Sequence, residues 1–186
     1  MVPSTDGNYL YVDNSNVWIE GMHVAAVARG LAPDIWAAQQ HRICDATWTL
    51  NFGKLYEFAG GDASDVGRAV LYGSRPPAND GLWEAARRKG FDVVVHDRNS
   101  QNKEKKIDTS ITADIMEDSY ERMKAGVDEI TLVSGDKDYV PVVEKLVKRG
   151  FRFYVVFWDH AARELKDAAT KFISLNEHLD HLARVR

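Results

Sequence analysis

Two carboxylates on one short turn are the side chains of this sequence best suited to chemistry. The turn is Ser134-Gly135-Asp136-Lys137-Asp138, and it follows Ile130 to Val133, an apolar run that predicts a buried strand. Packing gives no reason to place two negative charges at a strand end, whereas binding of a divalent cation does. We therefore interpret Asp136 and Asp138 as candidate metal ligands.

Two more acidic positions lie at similar points of the chain. Asp13 directly follows the predicted strand Tyr9 to Val12, and Asp108 precedes the helical pattern Ser110 to Lys124. Carboxylates without paired histidines or clustered cysteines form an oxygen-rich site, which suits Mg²⁺ or Mn²⁺. Such ions activate water and stabilise the leaving oxygen in displacement at phosphorus, so a phosphodiester is a candidate substrate.

Other nucleotide chemistries lack their sequence motifs. The chain has neither the glycine-rich dinucleotide motif nor a P-loop. Ser15 stands two residues after Asp13, where an aspartyl-phosphate phosphatase would have a second aspartate, and no G-x-S-x-G serine motif occurs.

The composition favours one domain of a reducing compartment. The chain has 186 residues, of which 45% are hydrophobic, and we treat residues 1–186 as a single domain with a short tail at 1–7. The single cysteine, Cys44, excludes an internal disulfide framework and favours a cytoplasmic location. We expect neither a signal peptide nor a membrane span, which would need about 20 apolar residues.

The basic residues are clustered although the net charge is −4. Proteins that bind nucleic acid by charge alone are usually basic, so the overall charge does not predict such binding. We interpret Arg87-Arg88-Lys89, late in a predicted helix, as a solvated face. The run Arg98 to Lys106 leads into Asp108, so Lys103 and Lys106 are candidates for contact with a nucleic-acid backbone, with plain solvation as the alternative.

Strands and helices alternate along the chain, which predicts a three-layer α/β domain with a mainly parallel sheet. The predicted strands are Tyr9–Val12, Arg68–Tyr72, Phe91–His96, Ile130–Val133 and Phe153–Trp158. The helical patterns are Val17–Arg29, a weaker stretch over Asp34–Ala59, Asp80–Lys89, Ser110–Lys124, Val140–Arg149, Ala161–Ala169 and a closing Glu177–Ala183. Ligands of such sheets bind beyond the carboxyl ends of the strands, where the strand order reverses. If the order is 3-2-1-4-5, the first and fourth strands are neighbours and their acidic turns face each other.

Several segments of the sequence resemble the NYN domain family of the PIN-like nuclease superfamily. Tyr11 to Asn16 is similar to the opening motif of that family, and Lys105 to Asp108 resembles its Lys-x-x-Asp segment. Ser134 to Tyr139 resembles its Ser-Gly-Asp-x-Asp-Phe motif, with Tyr139 in place of phenylalanine. The resemblance covers nearly the whole chain, and residues 31–65 match least.

The resemblance implies a PIN-like sheet of order 3-2-1-4-5 and a metal-dependent endoribonuclease. It assigns metal binding and catalysis to Asp13, Asp108, Asp136 and Asp138, with Mg²⁺ or Mn²⁺ as cofactor. The expected substrate is single-stranded RNA, with a second copy of the chain or an RNA-binding protein as a further expected partner. The alternatives are an RNA-binding regulatory module without turnover and a small-molecule phosphohydrolase.

The structural alternatives for these residues are turn and capping roles. Asp13 and Asp136 suit a turn or a helix N-cap, Asp108 and Asp138 suit a helix N-cap, and Asn16 could cap the helix that starts at Val17.

A second set of residues is expected to support the site or contact substrate. Its members are Asn14, Asn16, Asp114, Ser134, Lys103 and Lys106. Asp114 lies about 240° around the helix from Asp108, so the two do not share a face, and a salt bridge is the alternative for Asp114. Trp18 and Trp158 could stack on bases or pack in the core.

Overall fold

A parallel sheet of six strands forms the centre of the computed structural model. The structure describes residues 7–75, 80–97 and 103–184, and the side chains of residues 75, 97 and 103–105 are outside that description. The strands are β1 (Asn8–Asp13), β2 (Val66–Arg75), β3 (Asp92–Asp97), β4 (Glu129–Val133), β5 (Arg152–Phe157) and β6 (Lys171–Ser174).

Helices cover both faces of the sheet, as the alternating pattern predicts. They are α1 (Asn14–Ala28), α2 (Ile35–His41), α3 (Phe52–Gly60), α4 (Asp80–Arg87), α5 (Lys103–Glu121), α6 (Val140–Lys148) and α7 (Arg163–Ala168). None of the described helices combines the length and the apolar character needed to cross a bilayer.

The strand order places the ends of β1 and β4 side by side. The order is β3-β2-β1-β4-β5-β6, and every neighbouring pair is parallel. Val12 of β1 pairs with Val133 of β4, so the chain leaves both strands at the same edge of the sheet, through Asp13 and Ser134. The predicted order of the first five strands is confirmed, and the expected meeting of the two acidic turns follows from it.

The sheet separates two apolar cores. Because successive side chains of a strand point to opposite faces, Leu10 and Val12 pack into one core while Tyr11 packs into the other. The first core lies against α1, α3 and α4, and the second lies against α5, α6 and α7. The short apolar strands are therefore buried on both faces, which explains why they lack a clear alternation of polar and apolar residues.

Two helices begin earlier than the sequence pattern predicts. α1 begins at Asn14 rather than Val17, because the Asp13 carboxylate caps it by accepting the Asn16 amide at 3.2 Å. α5 begins at Lys103 rather than Ser110, so Asp108 lies inside the helix. The N-cap interpretation of Asp108 is therefore wrong. The segment from residue 103 to residue 106, three lysines and one glutamate, consists of good helix formers, which accounts for the longer helix.

The end of the chain differs from the prediction. β6 adds a sixth strand beside β5 that the sequence pattern did not indicate, since it is short and only partly buried. The closing helix predicted over Glu177–Ala183 is instead a 3₁₀ turn, Asn176–His178, followed by a single antiparallel bridge between Leu50 and Ala183.

The weakly predicted segment 31–65 contributes to the first core. It contains α2 and α3, and the loop between them buries Trp48, whose Nε1 donates to the Leu179 carbonyl at 3.0 Å. Of the predicted N-terminal tail, residues 1–6 are outside the described residues, while the Gly7 amide donates to Asp128 at 3.0 Å.

We predict that Gly21→Ala destabilises the protein by about 1–3 kcal/mol, because a new methyl group overpacks the first core. A Cβ on this α1 glycine would lie 2.5 Å from the Trp48 ring and 2.8 Å from the Trp158 ring. Both rings are buried and meet edge to face at 5.8 Å, so neither can move aside easily. Urea denaturation measures the change.

Gly53→Ala is the matched control for this prediction. Gly53 is also helical, but its nearest neighbours, at 3.1 and 3.2 Å, are atoms of the flexible Lys89 side chain. The free energy of unfolding of the Gly53→Ala variant should change by no more than about 0.5 kcal/mol, since alanine favours the helix and the Lys89 side chain can move. Equal destabilisation by the two variants would contradict the packing argument.

Candidate active site

Three carboxylates meet where β4 ends, above the second core. One oxygen each of Asp108, Asp136 and Asp138 lies within 4.8 Å of the other two. Oxygen ligands bind Mg²⁺ or Ca²⁺-sized ions at about 2.0–2.6 Å, so oxygens around one ion lie no more than about 5 Å apart. The three side chains therefore fit a hard divalent cation. In the described ranges, no other acidic, histidine or cysteine side chains form such a group.

Asp136 is held at the strand exit by its own turn. Its carboxylate accepts the Asp138 amide at 3.0 Å and caps the 3₁₀ turn Lys137–Tyr139. α6 then begins at Val140 without a side-chain cap. The N-cap interpretation of Asp138 is therefore wrong, and the Asp138 side chain is exposed beside the other two carboxylates.

Asn16 connects the start of α1 to the turn after β4. Its Oδ1 accepts two hydrogen bonds, from the Ser134 hydroxyl and the Gly135 amide, each at 3.0 Å. Asp13 caps α1 instead, so the interpretation of Asn16 as the cap is wrong. Gly135 must be small, since a Cβ there would lie 2.3 Å from the Phe157 ring. Asn16 and Ser134 thus fix the backbone that carries Asp136.

Tyr139 holds Asp108 in place from the turn. Its buried phenol donates to Asp108 Oδ1 at 2.8 Å. Burial raises the pKa of Tyr139 most, and the negative charges of Asp13, Asp108 and Asp136 raise it further. The phenol therefore stays protonated and acts as a donor at all ordinary pH values. The same charges show that Asp13 lies within electrostatic range of this phenol.

Asp13 is close to the three carboxylates but outside their group. It is only 6% exposed and caps α1, and its oxygens are not among those within 4.8 Å of one another. Beside it, the buried Oδ1 of Asn14 has no hydrogen-bond partner among the described residues. Leaving such an oxygen unpaired costs about 1–3 kcal/mol, and a bound water or ion is the common remedy.

Asp114 lies away from the group, as its helix position predicts. The phenol of Tyr72 donates to its Oδ2 at 2.5 Å, which replaces the salt bridge considered from the sequence. Further along α5, Asp118 accepts from Tyr11 at 2.6 Å. Sequence reasoning missed these tyrosine partners, because their pairing depends on which strand faces the helix.

A network of largely buried polar side chains joins α1 and α2 to the loop before α7, which in turn contacts Gly135. Glu20 Oε2 lies 2.7 Å from His160 Nε2 and 3.3 Å from His23 Nδ1, and it accepts from Gln39 at 2.8 Å. Burial would raise the pKa of Glu20, but these hydrogen bonds outweigh that effect and lower the pKa. Two residues after His160, the Ala162 amide donates to the Gly135 carbonyl at 3.0 Å.

The remaining predicted contacts are divided between surface and core. Lys106 is exposed on α5, while the Lys103 side chain and residues 98–102 are outside the described part of the structure. Trp158 is fully buried and donates to the Val17 carbonyl at 2.9 Å, so its base-stacking interpretation is wrong. Trp18 is only partly buried.

An open pocket adjoins the carboxylates. Its volume is about 540 Å³, and Asp108 and Asp138 line it together with Thr109, Thr112, Ala113 and Met116 of α5. Two of the three carboxylates thus face a space of the size that small ligands occupy.

Comparisons with known proteins agree with this fold. The sequence model of the NYN domain matches residues 11–176. A solved structure from Vibrio parahaemolyticus, a protein of unknown function, superposes with a TM-score of 0.66 at 18% sequence identity, covering 94% of this chain and 96% of that one. At this identity the likeness shows the fold alone. No curated protein matches the chain.

We predict that Tyr139→Phe weakens Mn²⁺ binding by about 10-fold or more, because Asp108 loses the donor that orients it. Calorimetric titration with Mn²⁺ measures the affinity. Tyr72→Phe is the matched control, since it removes a similar bond to Asp114 outside the group. Both variants should lose about 1.5–3 kcal/mol of stability, since each loses a hydrogen bond to a carboxylate. Equal Mn²⁺ affinity of the two would contradict the role of Tyr139.

Proposed function

The chain belongs to the NYN domain family of PIN-like nucleases, and we propose that it is a metal-dependent endoribonuclease. The substrate would be single-stranded RNA, and the cofactor Mg²⁺ or Mn²⁺. A cytoplasmic location and a protein partner stay predictions from the sequence.

The group of Asp108, Asp136 and Asp138 carries this proposal. Three carboxylate oxygens within 4.8 Å of one another repel each other unless a cation lies among them. The donor set contains only oxygen, which suits a hard ion that also binds phosphate oxygens. The open pocket beside Asp108 and Asp138 leaves room for the substrate to reach that ion.

The protein's contribution to hydrolysis would be to hold the ion and to orient the groups around it. When bound, a divalent ion supplies an activated water and stabilises the leaving oxygen at phosphorus. In the reaction the water oxygen bonds to phosphorus, the bond from phosphorus to the ribose oxygen breaks, and a proton passes to that leaving oxygen. Asp108, Asp136 and Asp138 would hold the ion, and Asp13 would add a nearby negative charge.

Neighbouring side chains would keep these carboxylates in position. Asn16 and Ser134 fix the turn that carries Asp136, and Tyr139 fixes Asp108. We propose that Asn14 orients water at the site through its unpartnered Oδ1. Lys106, together with Lys103, would contact the RNA backbone. Asp114 would act only through Tyr72, by helping to place α5 on the sheet.

We predict that Asp136→Asn lowers cleavage of a labelled single-stranded RNA by about 100-fold or more, the scale of losing a group that stabilises charge in the transition state. A chelator should abolish wild-type cleavage, and added Mg²⁺ or Mn²⁺ should restore it. Asp167→Asn, which changes an exposed carboxylate of α7 that pairs with Arg163, is the control and should cleave at the wild-type rate.

Three results would overturn the proposal in different ways. If neither chelator nor Asp136→Asn changes the rate, the carboxylates are not the catalytic centre. Binding of RNA without cleavage in any metal would indicate a regulatory module. Hydrolysis of nitrophenyl phosphate but not of RNA would indicate a small-molecule phosphohydrolase.

A further inference from the structure

A second pocket of about 540 Å³ lies on the opposite face of the sheet from α5. It is bounded by the start of α3, by α4, by Trp18 of α1 and by Arg184 near the end of the chain. None of the four candidate metal ligands lines it. We call this space the α3–α4 groove.

The α3–α4 groove is positively charged although the protein is not. Arg88, Lys89 and Arg184 line it, and none of the described residues that line it is acidic. All three cations are exposed, and none has an ion-pair partner among the described residues. A chain of net charge −4 thus gathers three unneutralised cations in one groove, which favours an anionic ligand.

Arg87 shows that this arrangement is not a property of the whole basic run. Arg87 pairs with Glu84 of the same helix at 2.6 Å and does not line the groove. The sequence predicts that the run Arg87-Arg88-Lys89 is a solvated face. In the structure, its residues have two different environments. One arginine is neutralised on the surface, and the next two residues face the groove.

An aromatic side chain completes the groove. Trp18 is partly exposed, lines the groove and meets the Phe52 ring edge to face at 5.9 Å. Cations next to an aromatic ring are the combination by which proteins bind single-stranded nucleic acid, with phosphates on the cations and bases stacked on the ring. Trp18 follows Asp13 by five residues, or about 7.5 Å of helix rise, so this ring lies near the end of α1 that Asp13 caps.

We propose that the α3–α4 groove binds a single-stranded part of the RNA substrate outside the cleavage site. Arg88, Lys89 and Arg184 hold its phosphates, and Trp18 contacts a base. This inference rests on the proposed function for the identity of the ligand, but the groove is separate from the carboxylates. It gives the acidic chain the RNA-binding surface that its overall charge does not provide.

The test compares Arg87, the last residue of α4, with Arg88, which directly follows that helix. Binding of fluorescein-labelled oligouridine of 12 nucleotides is measured by anisotropy at several salt concentrations, in the Asp136→Asn background so that the probe is not cleaved. We expect Arg88→Ala with Lys89→Ala to weaken binding by about 10-fold or more and to reduce the log–log salt slope by about 1.4, since each phosphate contact to a single strand contributes about 0.7. Arg87→Ala should bind like its parent.

Cleavage by otherwise wild-type enzyme gives a second readout. The double variant should raise KM for the 12-nucleotide RNA about 10-fold and leave kcat unchanged, because the groove contacts RNA away from the reacting phosphate. Equal affinity and equal salt slope for the double variant and Arg87→Ala would overturn the groove proposal. Absence of metal-dependent cleavage would overturn the proposed function but not the groove proposal. The difference in RNA affinity between the double variant and Arg87→Ala does not depend on turnover.

Discussion

The docking of α5 on the sheet is the constraint on which the candidate site depends. Three buried phenols, from Tyr11, Tyr72 and Tyr139, donate to aspartates along this one helix at 2.6, 2.5 and 2.8 Å. The partner of Tyr11, Asp118, is only 1% exposed and also pairs with Arg68 and Arg122. A buried carboxylate without such partners would destabilise the fold by about 3–5 kcal/mol. These hydrogen bonds therefore fix the register of α5, because a shift of the helix along its axis would break them.

That register has opposite consequences at the two ends of α5. At Asp118 two arginines compensate the negative charge, so no unpaired charge is buried there. At Asp108 the same kind of tyrosine bond brings the carboxylate next to Asp136 and Asp138. At 4.8 Å, the upper bound of the oxygen separations in this group, like charges repel by about 1 to 3.5 kcal/mol per pair, depending on how much water screens them. The fold thus maintains a cluster that is unfavourable by itself and becomes favourable with a cation.

The sequence predicted the parts of this arrangement that depend on local pattern. Apolar runs followed by Asp13 and by Ser134-Gly135-Asp136 located two strand ends, and the parallel order brought them together. Helix boundaries were less predictable: Asp108 was expected at an N-cap because nothing local shows that α5 starts at Lys103. The α3–α4 groove could not be predicted at all, since Arg184 and Arg88 are far apart in sequence and meet only through tertiary packing.

Separation of charge within the molecule explains how an acidic chain can serve an anionic substrate. At physiological ionic strength the Debye length is about 8 Å, so a phosphate responds to the charges near it and hardly to the net charge of −4. The carboxylates of the site lie on the α5 side of the sheet, while the cations of the groove lie on the α3–α4 side. A cation among the carboxylates would remove the local repulsion at the proposed cleavage site, and the groove would attract phosphates away from that site. Net charge is therefore a poor guide to ligand binding in a domain whose charges are sorted in this way.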